Sequence, residues 1–182
     1  LDAKRVQGSS TAQGVLASVW VQASGDSDSA LDTEVTRRGE KIEDTVPSGN
    51  LGKATFALKK SGTPSGTAYC KLYNSSGTEV EQATETYTNS TLTTSFVDKT
   101  FTFSGVNPLT ADCRVAIEVT GGDGGIFMHK NTGAAGSPSD IDATHYTESW
   151  GDEATDRSYV GEIFTYAIQD DKATLVTAVS PA

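Results

Sequence analysis

The stretch that decides the fold is KATFALKKSGTPSGTAYCKLY, residues 53–73. Apolar and polar side chains alternate in its first part, where Phe56 and Leu58 share a phase, and again in its last part, where Cys70 and Leu72 do. A period of two residues is typical of a strand with one buried face and one solvated face. The glycines and the proline between the two runs are typical of a turn. We therefore expect two strands joined as a hairpin.

The same alternation continues on the C-terminal side of this hairpin. It is found at residues 101–103, 113–119 and 126–130, and the final strands are expected at residues 159–168 and 173–179. Short strands separated by Gly, Ser, Thr, Asn and Pro, without a stretch of period 3.6, predict an all-β sandwich or barrel. Residues 24–36 are expected to form a loop or one short helix. Residues 131–156 are expected to form a long functional loop with a short strand near residues 145–150.

Composition restricts the class of protein. The chain has 182 residues, which is enough for one buried core, and a formal net charge of −10. This charge repels nucleic-acid phosphates and anionic membranes, so we expect no nucleic-acid binding and no membrane insertion. No apolar run approaches the roughly 20 residues that span a bilayer. Because the chain starts at Leu1 without an initiator methionine, we interpret it as a processed or trimmed product from which any leader or anchor has been removed.

Four motifs follow one another in the order LKKSGTPSGT (58–67), LYNSSG (72–77), FTFS (101–104) and PLTA (108–111). In this order they resemble a jelly-roll module that recurs in archaeal, bacterial and viral surface proteins. The resemblance covers residues 38–168 and implies an all-β jelly-roll sandwich of two antiparallel sheets, used as a structural subunit or in glycan binding. The segment before Arg38 lies outside the pattern. We therefore divide the chain into an N-terminal arm, residues 1–37, and a sandwich domain, residues 38–182.

The N-terminal arm contains a strand-like stretch, residues 14–22, in which both faces are apolar. One interpretation is a first strand of the sandwich. The other is a donor strand that completes the sheet of a neighbouring copy, with backbone hydrogen bonds supplying the affinity. The assembly strand then comprises Val15, Leu16, Ala17, Val19, Trp20 and Val21, with residues 173–179 as a second candidate. Repeated head to tail, such a contact gives a filament. We therefore expect copies of the same chain as partners and a structural role in an extracellular filament or a cell-surface or virion-surface polymer.

Tyrosines on the solvated phase of the hairpin suggest a different function. Tyr69 and Tyr73 alternate with the inward residues Cys70 and Leu72 and are expected on an outer face. Exposed aromatic rings flanked by polar groups are a platform for sugars. The alternative function is therefore a carbohydrate-binding module, although aromatic side chains also stabilise sheets without any ligand.

The two cysteines and two sequons agree with an extracellular location. Cys70 and Cys113 are in phase with core positions and are expected either as buried thiols or as a disulfide. Asn74 and Asn89 begin the sequons Asn-Ser-Ser and Asn-Ser-Thr in predicted turns, where a glycan could be attached.

Loop carboxylates define a possible calcium site. Calcium takes six to eight oxygen ligands, and the candidate ligands are Asp123, Asp140, Asp142 and Asp152. No EF-hand spacing is present, and solvated surface acids are the competing interpretation. No other cofactor is expected.

Catalytic motifs are missing from the sequence. It contains no Gly-x-Ser-x-Gly, no His-Glu-x-x-His and no phosphate loop. Glu118 and Glu162 are the remaining candidates for a glycosidase carboxylate pair, but alternation places both on polar faces. We therefore expect a protein that is not an enzyme.

Overall fold

The structure is a computed structural model and describes residues 16–43, 49–121, 125–133, 141–153 and 157–167. Thirteen strands lie in these residues and form two antiparallel sheets. Sheet A contains β1 (Leu16–Gln22), β2 (Ser27–Leu31), β4 (Gly49–Lys60), β7 (Val97–Thr102), β9 (Ile126–Asn131), β12 (Ser158–Tyr159) and β13 (Gly161–Ala167). Sheet B contains β3 (Arg37–Ile42), β5 (Thr67–Tyr73), β6 (Glu79–Thr88), β8 (Arg114–Thr120), β10 (Ile141–Tyr146) and β11 (Trp150–Asp152).

Eight of these strands have the connectivity of a jelly roll. Their order is β2-β9-β4-β7 in sheet A and β3-β8-β5-β6 in sheet B. Consecutive strands alternate between the sheets over much of the chain, as expected for two interlocked Greek keys. The predicted all-β sandwich of two antiparallel sheets is confirmed.

Further strands extend both sheets. Strand β4 pairs through its last residues with β9, whereas its earlier residues pair with β13. Strands β12 and β13 thus enter where β4 and β9 diverge, and β1 pairs with the outer edge of β13. In sheet B, β10 and β11 continue the sheet beyond β3. The part of the segment 1–37 that the structure describes therefore belongs to the sandwich through β1 and β2.

The core lies between the sheets and follows the predicted alternation. Phe56 and Leu58 of β4 and Cys70 of β5 are completely buried, and Leu72 is 1% exposed. Full burial of one such apolar side chain contributes about 1.5–3 kcal/mol. The inward phase predicted from residues 53–73 is therefore the phase that holds the two sheets together.

Two predicted loops contain strands. Residues 24–36 include β2, which corrects the expected loop or short helix. Residues 131–156 include β10 and β11, so the short strand expected near residues 145–150 is found in part, and the segment has two strands where one was expected. Both segments are rich in Ser, Asp and Gly, and their strands gain stability from the neighbours β9 and β3 rather than from their own alternation. The helical structure in the described residues is one 3-10 turn, Asn89–Thr91, which is far too short to cross a membrane.

Candidate functional site

Strand β1 forms an edge of sheet A. Among the described strands it pairs with β13 alone, in a register that runs from Leu16 opposite Tyr166 to Gln22 opposite Gly161. The register shifts between Ser18 and Trp20, so Val19 is an additional residue at a β-bulge. Bulges at edges locally disrupt strand pairing. The N-terminal stretch therefore completes the sheet of its own chain.

One side chain anchors β1 in the core. Trp20 is 1% exposed and Gln22 is 8% exposed, whereas Val21 on the other face is 40% exposed. Val19 is partly buried against the core, and Ala17 is exposed. The indole Nε1 of Trp20 has no hydrogen-bond partner in the described part of the chain. The strand is thus held chiefly by its ladder with β13 and by one indole. Val15 lies outside the described residues, as do residues 173–179.

The beginning of β1 packs against an aromatic ring on two glycines. A Cβ at Gly52 would lie 2.6 Å from both Tyr166 and Leu16, and a Cβ at Gly105 would lie 2.7 Å from Tyr166. Gly105 also has a φ of 75°, which side chains rarely adopt. Because these glycines have no side chain, the Tyr166 ring has room to pack over them beside Leu16, its partner at the start of β1.

The end of β1 borders a small cavity. The cavity has a volume of about 150 Å³ and is lined in part by Val21 of β1, Glu162 of β13, and the neighbouring Thr55 and Asp98. Residues 23–26 then lead to β2 and are tied to β9, because Asp26 N–H donates to the Lys130 carbonyl over 3.0 Å. The connection between β1 and the rest of the domain is therefore short and fastened at its far end.

The outer face of sheet B holds a network around one carboxylate. Glu118 accepts hydrogen bonds from Arg37 Nε (2.6 Å), Lys71 Nζ (2.9 Å) and Tyr73 Oη (2.6 Å). Burial raises the pKa of Glu118, but the hydrogen bonds from Tyr73 and Lys71 and the positive charges outweigh it, so the pKa lies below its ordinary value. Burial and the same carboxylate raise the pKa of Tyr73.

The predicted glycan platform is corrected at one of its two residues. Tyr73 is 1% exposed, because Trp150 of β11 packs edge-on against it with ring centroids 5.0 Å apart. Tyr69 is half-buried on the same face. Trp150 also contacts Tyr146, at 5.4 Å. The sequence predicted a loop with one short strand near residues 145–150, and it gave no sign that this segment pairs with β3 and brings Trp150 onto Tyr73.

A second ionic cluster ties the sheets together at one side. Glu153 accepts from Arg38 Nη1 (3.1 Å), Tyr159 Oη (2.9 Å) and Lys130 Nζ (2.6 Å). Burial raises the pKa of Glu153. The hydrogen bonds from Lys130 and Tyr159 and the charge of Arg38 lower it by more, so the pKa lies below its ordinary value. Its donors come from β3 of sheet B and from β9 and β12 of sheet A, so this cluster links the two sheets. No sequence motif predicted it.

The two cysteines are separate buried thiols. Cys70 lies opposite Ile117 in the pairing of β5 with β8. Cys113 precedes Ile117 by four residues, which is about 13 Å along a strand. A disulfide needs Cα atoms within about 7 Å, and the predicted alternative of a bridge is therefore corrected in favour of buried thiols.

The two sequon asparagines differ in accessibility. Asn74 lies in the turn after β5, and its Oδ1 accepts from Ser76 Oγ (2.7 Å) and from Thr78 N–H (2.9 Å). Asn89 is completely buried, and its Nδ2 donates to the Ser65 carbonyl over 2.6 Å. The expectation of a glycan at Asn89 is therefore corrected, because that nitrogen has no access in the folded domain.

Among the calcium candidates, Asp152 is the one whose side chain lies in the described residues, so the calcium site stays a prediction. No group of three or more potential ligands is found there. Asp152 pairs instead with Lys41 Nζ (3.2 Å) and Arg114 Nη2 (3.5 Å). Asp123 and Asp140 lie outside the described residues, and so does the side chain of Asp142. Glu118 and Glu162 lie in different sheets and do not form a pair.

The fold and its edge define a jelly-roll sandwich with an N-terminal edge strand. No protein-family model, curated protein or solved structure matches the chain. The resemblance to surface-protein modules therefore stays a prediction that rests on the four motifs.

Proposed function

We propose that this domain is a non-catalytic assembly subunit of an extracellular filament or a cell-surface or virion-surface polymer, joined by exchange of strand β1 between like copies. The observation that carries the proposal is the position of β1, which is first in chain order among the described strands, at the edge of its sheet, and hydrogen-bonded to β13 alone. A neighbouring copy offers the same strand to the same edge. Exchange therefore replaces each contact with an identical one.

The rest of the fold supports the removal of β1. The eight strands of the jelly roll, β2-β9-β4-β7 and β3-β8-β5-β6, are connected without it. Leaving the sheet uncovers the edge of β13 and the slot of Trp20, both of which favour occupation by another strand. The short connection of residues 23–26 favours exchange, because short hinges invite domain swapping.

A pair of cysteines across β1 and β13 tests the proposal. Val21 lies opposite Glu162, and Val21 is 40% exposed, so Val21→Cys with Glu162→Cys places two thiols at a distance that suits a disulfide. If β1 exchanges, oxidation during assembly gives a ladder of covalent multimers on a non-reducing gel. Single variants give dimers at most, so the ladder requires both thiols. Cys70 and Cys113 are buried and do not interfere.

The contrary result is equally clear. Oxidised monomers at every protein concentration, together with no polymers in negative-stain images of the unmodified protein, would refute strand exchange. Deletion of residues 1–23 is the complementary test, because a truncated protein that still forms the same polymers does not use β1 as its joint.

Carbohydrate binding is the second candidate, and it rests on the outer face of sheet B. The half-buried rings of Tyr69, Tyr146 and Trp150 lie in one row across the sheet, with Arg37 and Glu118 between them. Rings beside charged hydrogen-bonding groups suit sugars. A glycan array with added calcium, run on the unmodified protein and on Trp150→Ala, tests this function. Equal signals from both proteins would exclude this face.

A further inference from the structure

Strand β7 is an edge of sheet A that pairs with β4, and several of its outward backbone groups are bound by side chains. Phe103 N–H donates to the Gly52 carbonyl over 2.9 Å, so the backbone groups of Phe103 and of every second residue before it point toward β4. Thr100, Thr102 and Ser104 belong to the opposite phase, and their backbone groups point away from β4. An edge of this kind is a template for another strand unless something covers it.

Side chains of β6 bind three of these groups. Glu85 accepts from the Thr102 N–H and Glu81 accepts from the Ser104 N–H. The hydroxyl of Tyr87 donates to the Thr100 carbonyl over 3.0 Å. The second oxygen of Glu81 accepts from Asn107 Nδ2 over 2.8 Å. At each of three successive outward residues of this edge, one backbone group is thus bound by a side chain of the opposite sheet.

The sequence of β6 places these side chains on one face. Glu81, Glu85 and Tyr87 are partly buried and share a phase with the buried Ala83, whereas Val80, Gln82, Thr84 and Thr86 are exposed. The ring of Tyr87 packs edge-on against Phe101, with centroids 5.3 Å apart. The three side chains therefore lie across the open side of the sandwich between β6 and β7.

In the part of the chain that the structure describes, strand β1 lacks a comparable cover. Within the described residues, the side-chain hydrogen bonds found at β1 come from Ser18 and Gln22, which belong to the strand itself. The two ends of sheet A thus differ in chemistry, although both are edge strands.

From this difference we infer that Glu81, Glu85 and Tyr87 close the β7 edge against strand addition by a second copy of the chain. Sheet A is then open to pairing at its β1 side and closed at its β7 side. The closure is present within a single copy. It therefore goes beyond the proposed function, and it holds whether or not β1 exchanges.

The test removes the two acceptors and keeps a matched acid. The variant is Glu81→Ala with Glu85→Ala. The control is Glu79→Ala, which removes an acid of the same strand that faces Lys71 on the outer surface, at 2.9 Å. A second variant, Glu81→Gln with Glu85→Gln, removes the charges but retains acceptor oxygens. Hydrogen exchange of single amides, light scattering and negative-stain microscopy are measured on each full-length protein.

The expected result is local. Exchange of the Thr102 and Ser104 amide protons rises about tenfold or more in the alanine variant, as expected for loss of a hydrogen bond to a charged acceptor. The Phe103 amide, which donates to β4, changes by less than about twofold. The alanine variant associates through its newly exposed edge and scatters light at lower concentrations than the control. The glutamine variant shows a smaller rise in exchange and stays dispersed.

Three outcomes would overturn the inference. One is unchanged exchange at Thr102 and Ser104 in the alanine variant. Another is an equal rise at Phe103, which indicates general destabilisation, and the glutamine variant decides this point if the alanine variant does not fold. The last is equal association of the Glu79→Ala control, which assigns the effect to net charge. The cysteine ladder between Val21 and Glu162 is measured separately, so a failure of strand exchange is distinguishable from a failure of edge closure.

Discussion

Replacement of Trp20 by alanine measures how firmly β1 is attached to its own sheet. Trp20 is 1% exposed, and its side chain is the largest that β1 contributes to the core. Truncation of a buried tryptophan costs about 3–5 kcal/mol. The unpartnered Nε1–H in the native strand reduces this value, because a buried donor without an acceptor costs about 1–3 kcal/mol. The expected loss of unfolding free energy is therefore about 2 kcal/mol.

Two companion variants separate the contributions. Trp20→Phe keeps an aromatic ring and removes the unpartnered N–H, so we expect a change within about 1.5 kcal/mol of the unmodified protein. Val21→Ala alters the neighbouring side chain, which is 40% exposed, and we expect a change of about 0.5 kcal/mol or less. The three substitutions lie in one strand and differ in burial, so they report on the docking of that strand rather than on its propensity.

Urea denaturation is the assay, followed by circular dichroism and by the fluorescence of Trp150, the other tryptophan of the chain. In a thermal melt, the loss expected for Trp20→Ala lowers the Tm by roughly 4–8 °C. A loss below about 1 kcal/mol for Trp20→Ala would refute the reasoning. It would mean that the indole is not buried in the intact protein and that β1 does not occupy the edge of its own sheet.

Further predictions concern one carboxylate, the two thiols and two glycines. Glu118→Gln is expected to lower the free energy of unfolding by about 2 kcal/mol at pH 7. Since the folded pKa of Glu118 is lowered, this contribution is present above the unfolded pKa and disappears as the pH falls through the folded pKa. Denaturation of both proteins at pH 7 and pH 3 should therefore show a smaller difference in stability at pH 3. Burial raises the pKa of Cys113 to about 11 and that of Cys70 well above its ordinary value. Both thiols should therefore react with a thiol reagent at pH 8 only after the protein unfolds. Fast stoichiometric labelling of the native protein would contradict this prediction. Gly39→Ala places a Cβ 2.1 Å from a backbone oxygen of β8, whereas a Cβ at Gly133 meets nothing within 4 Å. In thermal unfolding, Gly39→Ala should destabilise the protein by about 2 kcal/mol or more, and Gly133→Ala by less than about 0.5 kcal/mol. Equal stabilities of the two variants would exclude the tight approach of β3 to β8.

The sandwich was predictable where one face of a strand is apolar and the other polar. The inward-facing positions of β4 and β5 were predicted from Phe56, Leu58 and Cys70, and all three are completely buried. Strand β2, with the sequence Ser-Asp-Ser-Ala-Leu, offers Leu31 as its one large apolar side chain. Its pairing with β9 is a property of the tertiary structure, and a local pattern could not reveal it.

The candidate site was predictable only in part, because cover depends on distant residues. The alternation assigned Tyr73 to the outer face correctly, but its burial is due to Trp150, which lies far away in the sequence. Asn89 is a sequon asparagine in a polar stretch, and its burial is due to the Ser65 carbonyl of another turn. The closure of the β7 edge likewise joins Glu81 and Glu85 to a strand of the other sheet, and such links have no sequence signature of their own.

The position of β13 between β1 and β4 has a consequence for the order of folding. Leu16 finds its partner at Tyr166, so β1 has no edge to join until nearly the whole described chain has been synthesised. Contacts between such distant residues form slowly, because a long loop must close first. Under the proposed strand exchange, β1 of a neighbouring copy competes for the same edge during that delay. The proposal therefore makes the biogenesis of the protein sensitive to how many copies mature side by side.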